Sequence, residues 1–95
     1  MVDKPEARFD LGNVVATPGA LRALEESAQL PHEFLLRHLQ GDWGEVDKED
    51  WAANDWSVDN EARIISAYTT NLGVKIWVIS EQDRSVTTIL IPSEY

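Results

Sequence analysis

Residues 63–91 read RIISAYTT (63–70), NLG (71–73), VKIWVIS (74–80), EQDR (81–84) and SVTTILI (85–91), and this alternation of runs decides the fold. The three longer runs are rich in isoleucine, valine, threonine and aromatics, side chains that suit a pleated, half-buried surface. Thr70-Asn71-Leu72-Gly73 supplies turn residues that tolerate positive φ, and Glu81-Gln82-Asp83-Arg84 is a polar loop of hairpin length. Three strands in succession joined by short loops predict an antiparallel meander. Pro92 ends the last strand because it has no N–H to give a ladder.

Upstream of the sheet the pattern changes to helical spacing. Thr17-Pro18 pairs an N-cap hydroxyl with a proline at the first helical position, where its missing N–H costs nothing. Leu21, Leu24 and Ala28 then form an i, i+3, i+7 stripe, expected to face the core. Leu30-Pro31 interrupts that helix and opens a second, in which Phe34, Leu35, His38 and Leu39 share a face and Gly41 is a natural C′ residue. Asp47 is an N-cap for a third helix with Asp50 at N3, Val46 and Trp51 placed as a hydrophobic staple, and an end expected by Val58. Residues 1–13 lack a period and read as a loose arm that becomes extended through Asn13, Val14 and Val15. The expected class is therefore α+β, with two or three N-terminal helices packed on a C-terminal three- to four-stranded antiparallel meander. One domain spans residues 1–95, with the arm at 1–13, the helical part at 17–58 and the sheet at 63–92.

Composition bounds what this domain can do. Ninety-five residues hold one core, and 43% hydrophobic with 26% charged residues is the balance of a globular chain. With no cysteine and only His32 and His38, neither a disulfide framework nor a thiolate or histidine-rich metal site is expected, and no cofactor is called for. The N-terminus lacks a basic stretch followed by an apolar run, so the expectation is a cytoplasmic protein with no membrane partner. Seventeen acidic against eight basic side chains give a net charge of −9, a field that repels phosphate backbones and favours basic partners. Direct nucleic-acid binding is not expected.

The most distinctive segment is residues 42–61, DWGEVDKEDWAANDWSVDNE, with eight carboxylates, one lysine and three of the four tryptophans. Read functionally, its carboxylates imitate a phosphate backbone, and Asp42, Trp43, Glu45, Glu49, Asp50, Asp55 and Trp56 make a binding surface for a basic protein. Read structurally, it is a solvated acidic face whose carboxylates favour a helix N-terminus while the tryptophans fill the core. A second constellation is catalytic: His38 with Asp42 four residues on, Arg84, and the hydroxyls of Tyr68, Thr87 or Thr88 could cleave a phosphodiester. Its structural counterpart is a histidine stabilised at a helix C-terminus, with Arg84 and Arg63 in surface ion pairs. There is no Gly-rich phosphate loop, no G-x-S-x-G elbow, no H-E-x-x-H and no zinc-finger spacing. A further expectation is a homodimer formed through the sheet edge of the last strand.

VVATPGAL, RHLQGDWGEVDKEDWAAND, RIISAYTT and the ending VKIWVISEQDRSVTTILIPSEY together resemble a family of small bacterial proteins without assigned function, described as plasmid-related. The resemblance implies carriage on plasmids, phages and integrated elements, where small acidic proteins inhibit host restriction or CRISPR systems. In its order of elements the chain also resembles the small barnase/RelE-like ribonucleases and toxins. That second resemblance implies a catalytic cluster at His38, Tyr68, Arg84 and Thr88, on a surface more acidic than such nucleases carry.

Overall fold

One carboxyl-terminal residue and two amino-terminal ones lock together at the start of the first helix. In the computed structural model, which describes residues 7–95, helix α1 (Pro18–Glu26) begins with Thr17 Oγ1 accepting from the Ala20 N–H at 3.3 Å. The Thr17 hydroxyl donates in turn to Glu94, whose other oxygen accepts from the Gly19 N–H at 2.9 Å. A carboxylate from the chain's last turn thus sits on a helix N-terminus, where the exposed N–H groups favour negative charge. α1 ends one turn before Pro31: the Ser27 hydroxyl bonds back to the Ala23 and Leu24 carbonyls and Ala28 takes a left-handed φ of 56°. The expected stripe is corrected accordingly. Ala28 lies beyond the helix and is exposed, Leu21 points outward, and the core side is Ala20, Ala23 and Leu24.

Helix α2 (Pro31–Leu39) opens at Pro31 as expected, buries Phe34, Leu35 and His38, and stops at Gly41 with φ 85°. Helix α3 (Lys48–Asn60) starts on the Asp47 cap, whose Oδ1 accepts from the Asp50 N–H at 2.8 Å. It runs two residues past Val58 and closes on Glu61 in the left-handed region.

The sheet has four strands, within the three to four expected. Strand β1 (Asn13–Ala16) precedes the helices, and β2 (Ile64–Thr69), β3 (Lys75–Ser80) and β4 (Val86–Leu90) follow them, in sheet order β1-β4-β3-β2. β2, β3 and β4 form the antiparallel meander, but β1 pairs parallel to β4, so the sheet is mixed. The three intervening helices and two strands supply the long crossover that parallel pairing requires. The part of the N-terminal arm within the described residues is therefore pinned rather than loose: Asn13 and Thr17 donate to the Ser85 and Ile89 carbonyls at 2.9 Å each. The start of the arm, residues 1–6, lies outside the described residues. A second correction follows: β4 is an interior strand, and the edge assigned to it belongs to β1.

Strand alternation sends Ile64, Ser66 and Tyr68, Ile76, Val78 and Ser80, and Thr87 and Ile89 to one face of the sheet. α1 and α2 cover that face with Ala20, Leu24, Phe34 and Leu35, and the Phe34 and Tyr68 rings meet at 5.4 Å. Among the described residues no helix is long and apolar enough to cross a membrane.

The outer edge of β2 is sealed. Ala67 donates to the Trp43 carbonyl and accepts from the Glu45 N–H, while the Asn54 side-chain amide accepts from the Ile65 N–H at 3.2 Å and donates to its carbonyl at 2.8 Å. One side chain of α3 thereby does what a neighbouring strand would do, and the helix is anchored to the sheet edge by hydrogen bonds rather than by an apolar stripe.

Candidate functional site

The residues expected to form a nuclease centre are dispersed, and two are interior. His38 and Tyr68 are fully buried. His38 is not oriented by Asp42: its Nδ1 lies 2.6 Å from Ser66 Oγ and its Nε2 2.9 Å from Ser80 Oγ, and Ser80 Oγ is 2.6 Å from Thr87 Oγ1. Thr87 donates to the Leu11 carbonyl at 2.8 Å. A carbonyl can only accept, so the direction of the whole chain is fixed. Thr87 accepts from Ser80, Ser80 accepts from Nε2–H, and Nδ1 accepts from Ser66. Nε2 of His38 therefore carries a proton, and burial, assisted by the positive charge of Arg84, pushes the pKa down to about 3, which keeps the ring the neutral Nε2–H tautomer with Nδ1 as acceptor.

The other members of that cluster serve the fold as well. The Tyr68 hydroxyl donates to the Asp42 carbonyl at 2.7 Å, and burial raises its pKa. Arg84 spends its guanidinium on main-chain carbonyls of Ala62, Glu81 and Ser57 at 2.7 to 2.9 Å, tying the β3–β4 loop to the end of α3. Thr88, opposite Ile79, faces away from Thr87 on the other side of the sheet. The arrangement supplies no exposed base beside a phosphate-binding cation.

The seven candidate partner-binding residues divide into two groups. Trp43 is fully buried, donating its indole N–H to Asp55 at 3.0 Å and meeting His38 edge-on, so its place on the binding surface is corrected. Asp55 is held further by Arg8 at 3.1 Å, Asp42 by Arg37 at 2.8 Å, and Glu45 by Lys75 at 2.8 Å and the Thr69 hydroxyl. The Arg37 hydrogen bond holds the Asp42 carboxyl below its ordinary pKa. Glu49, Asp50 and Trp56 are exposed, Trp56 at 60%. Of the eight carboxylates in residues 42–61, three pair with a cation among the described residues, leaving Asp47, Glu49, Asp50, Asp59 and Glu61 facing water.

Helical spacing places Ala52, Ala53, Asp59 and Asn60 around Trp56, at i−4, i−3, i+3 and i+4. The two alanines leave the indole standing clear of its neighbours. Ala53 and Asp50 also wall a groove of about 800 Å³ on the sheet face opposite the core. Ile65, Ala67 and Trp77 contribute its sheet residues and Tyr95 closes it, the Trp77 and Tyr95 rings 5.5 Å apart and near perpendicular. The cations at this groove are engaged: Lys75 with Glu45, and Arg63 with the Tyr95 hydroxyl at 2.9 Å and Glu81 at 3.6 Å. Sequence reasoning missed Trp77 and Tyr95, although the period of two in β3 separates Trp77 from the buried pair Ile76 and Val78. Among the described residues no group of three or more His, Asp or Glu side chains is placed to hold a metal ion.

The outer face of α3 and the adjoining groove thus form one surface: an acidic helix with an exposed tryptophan, bordering an aromatic trough. No protein-family model matches the chain, and neither a curated protein nor a solved structure matches it.

Proposed function

We propose that this chain is a non-enzymatic interaction protein of a mobile element, acting in the cytoplasm on a basic protein of the host or the element. Inhibition of a restriction or CRISPR system is the activity such a surface suits. The observation that carries the reading is Trp56, 60% exposed, with Asp59 one turn on and Glu49 two turns back on the same helix face, neither paired with a cation among the described residues. Large exposed aromatics ringed by charge act as anchors in interfaces, while the surrounding field steers a partner of opposite sign. The chemistry is recognition of lysine- or arginine-rich surface, without bond making.

Tagged protein incubated with nuclease-treated lysate at low and high salt tests this. A basic protein retained at low salt and shed at high salt is expected, and Trp56→Ala or Glu49→Gln/Asp50→Asn/Asp59→Asn must abolish its retention while leaving the circular dichroism spectrum intact. Retention indifferent to both salt and these substitutions refutes the proposal.

A further inference from the structure

The two edges of the sheet are treated in opposite ways. β2 is sealed by residues 43–45 and by Asn54, whereas β1 is covered by nothing among the described residues. Asn13 and Thr17 spend their N–H groups on β4, so the two-residue alternation of a strand turns the peptide groups of Val14 and Ala16 outward. Val14 and Val15 are 43% and 48% exposed. Natural edge strands are usually blunted by a lysine, an inward charge, a proline or a bulge. Beyond its brevity of four residues, this one carries none of these within it, and residues 11–21 hold no charged side chain in a chain of net charge −9.

We infer that the β1 edge is a self-association site, at which a second copy of this chain adds its own β1 antiparallel across a twofold axis. The free ladder is short and bounded. Gly12, at φ 67° and packed against the Arg84 and Ser85 backbone, ends it on one side, and Pro18 has no N–H to extend it on the other. Only Val14 and Ala16 remain, and a twofold axis through Val15 satisfies both at once: Val14 pairs with the other copy's Ala16, and Ala16 with its Val14. The two Val15 residues then oppose each other as the close, non-hydrogen-bonded pair. No other register uses all four free groups of each strand.

Charge selects the same occupant. A basic partner is drawn to the acidic helix, not to a strand without charged side chains, while another acidic copy approaches most easily where charge is sparsest: the carboxylate beside this strand, Glu94, is engaged by the Thr17 hydroxyl and the Gly19 N–H. Joined through β1, two four-stranded sheets become one, with each α3 at an outer end. The two outermost strands are then about seven strand spacings apart, roughly 33 Å, and the acidic helices beyond them farther still, several times the Debye length of about 8 Å at physiological salt. Residual repulsion between the copies makes the dimer tighten as salt rises, the reverse of the dependence expected for a basic partner.

Sedimentation velocity of the full chain across a concentration series, at low and high salt, reads the association directly. A monomer–dimer equilibrium that tightens with salt is expected, and Val15→Lys should weaken it by about tenfold or more by setting like charges face to face. The chain has no cysteine, so Val15→Cys provides an independent reading under mild oxidation. It should cross-link to a disulfide dimer much faster than Leu72→Cys, an exposed position in the β2–β3 turn. A monomer at every concentration, a dimer insensitive to Val15→Lys, or equal cross-linking at the two positions overturns the inference.

Discussion

Lowering the pH should unfold this protein through His38. The imidazole has no exposed surface, and burial together with Arg84 takes its pKa from an ordinary 6.5 to about 3. As the pH falls through 6.5, the unfolded chain takes up a proton that the folded chain refuses, so stability falls with pH. It is fully present above 6.5 and lost progressively down to about 3. Each pH unit in that window costs about 1.4 kcal/mol, and the whole window about 5 kcal/mol, comparable to the total stability of a small domain. Protonation would also reverse the first link of the directed chain, since Nδ1 would become a donor and the Ser66 hydroxyl would have to turn and accept. Urea unfolding at pH 7, 6, 5 and 4, for the wild type and His38→Gln, isolates the effect. The difference between the two removes the carboxylates, such as Asp42, whose lowered pKa also makes acid destabilising. The wild type should lose stability faster than the variant by about 1.4 kcal/mol per pH unit between 6 and 4. Parallel pH dependences refute the reasoning, as does a His38 ring that titrates near 6.5 by NMR or carries its proton on Nδ1.

Two further predictions concern the sealed edge. Asn54→Ala leaves both the N–H and the carbonyl of Ile65 without their partner and should cost about 1–3 kcal/mol in urea unfolding, with Asn54→Leu no better because the amide rather than the bulk matters. At Gly44, φ 76°, an added Cβ would lie 2.0 Å from the Ala67 carbonyl, whereas at Gly73, φ 85°, it meets nothing within 4 Å. Gly73→Ala should therefore cost only the left-handed penalty of about 1–2 kcal/mol, and Gly44→Ala markedly more; equal thermal shifts for the two would contradict this account.

Local chemistry was legible wherever the cause of a structure lies within a few residues of its effect. The Thr17-Pro18, Pro31 and Asp47 starts, Gly41 and the three strands of the meander all rest on caps, proline geometry and period, whereas α1 ends at Glu26, ahead of the break expected at Leu30-Pro31. What escaped depends on residues far apart. β1 is only four residues long, and its partner begins at Val86, so nothing near Asn13 announces a parallel pairing. His38 has helical neighbours that suggest a catalytic dyad with Asp42, but Arg37 takes Asp42 and two strand serines take His38. In residues 42–61 a tryptophan count cannot separate Trp43, wholly buried, from Trp56, because the difference lies in which one folds over the β2 edge.

That last distinction bears on function more than any other. Helices of globular domains are normally retained by an apolar face, and such a face explains where their aromatics go. α3 is retained differently: Asn54 bonds the edge of β2, Ser57 is buried and offers its carbonyl to Arg84, and Asp47 caps the first turn. Polar anchoring of the inner side leaves no packing task for the outer side, where a tryptophan nonetheless stands among carboxylates. An apolar ring of that size in water is unfavourable for the isolated protein and gains by being covered. The same logic applies at the opposite edge, where valines and unpaired peptide groups meet water in a strip without charge. Helix and strand thus offer two surfaces of contrasting chemistry, the first proposed here for a basic partner and the second for another copy of the chain, and the sheet sets them at opposite edges, so that the two proposals can be tested independently.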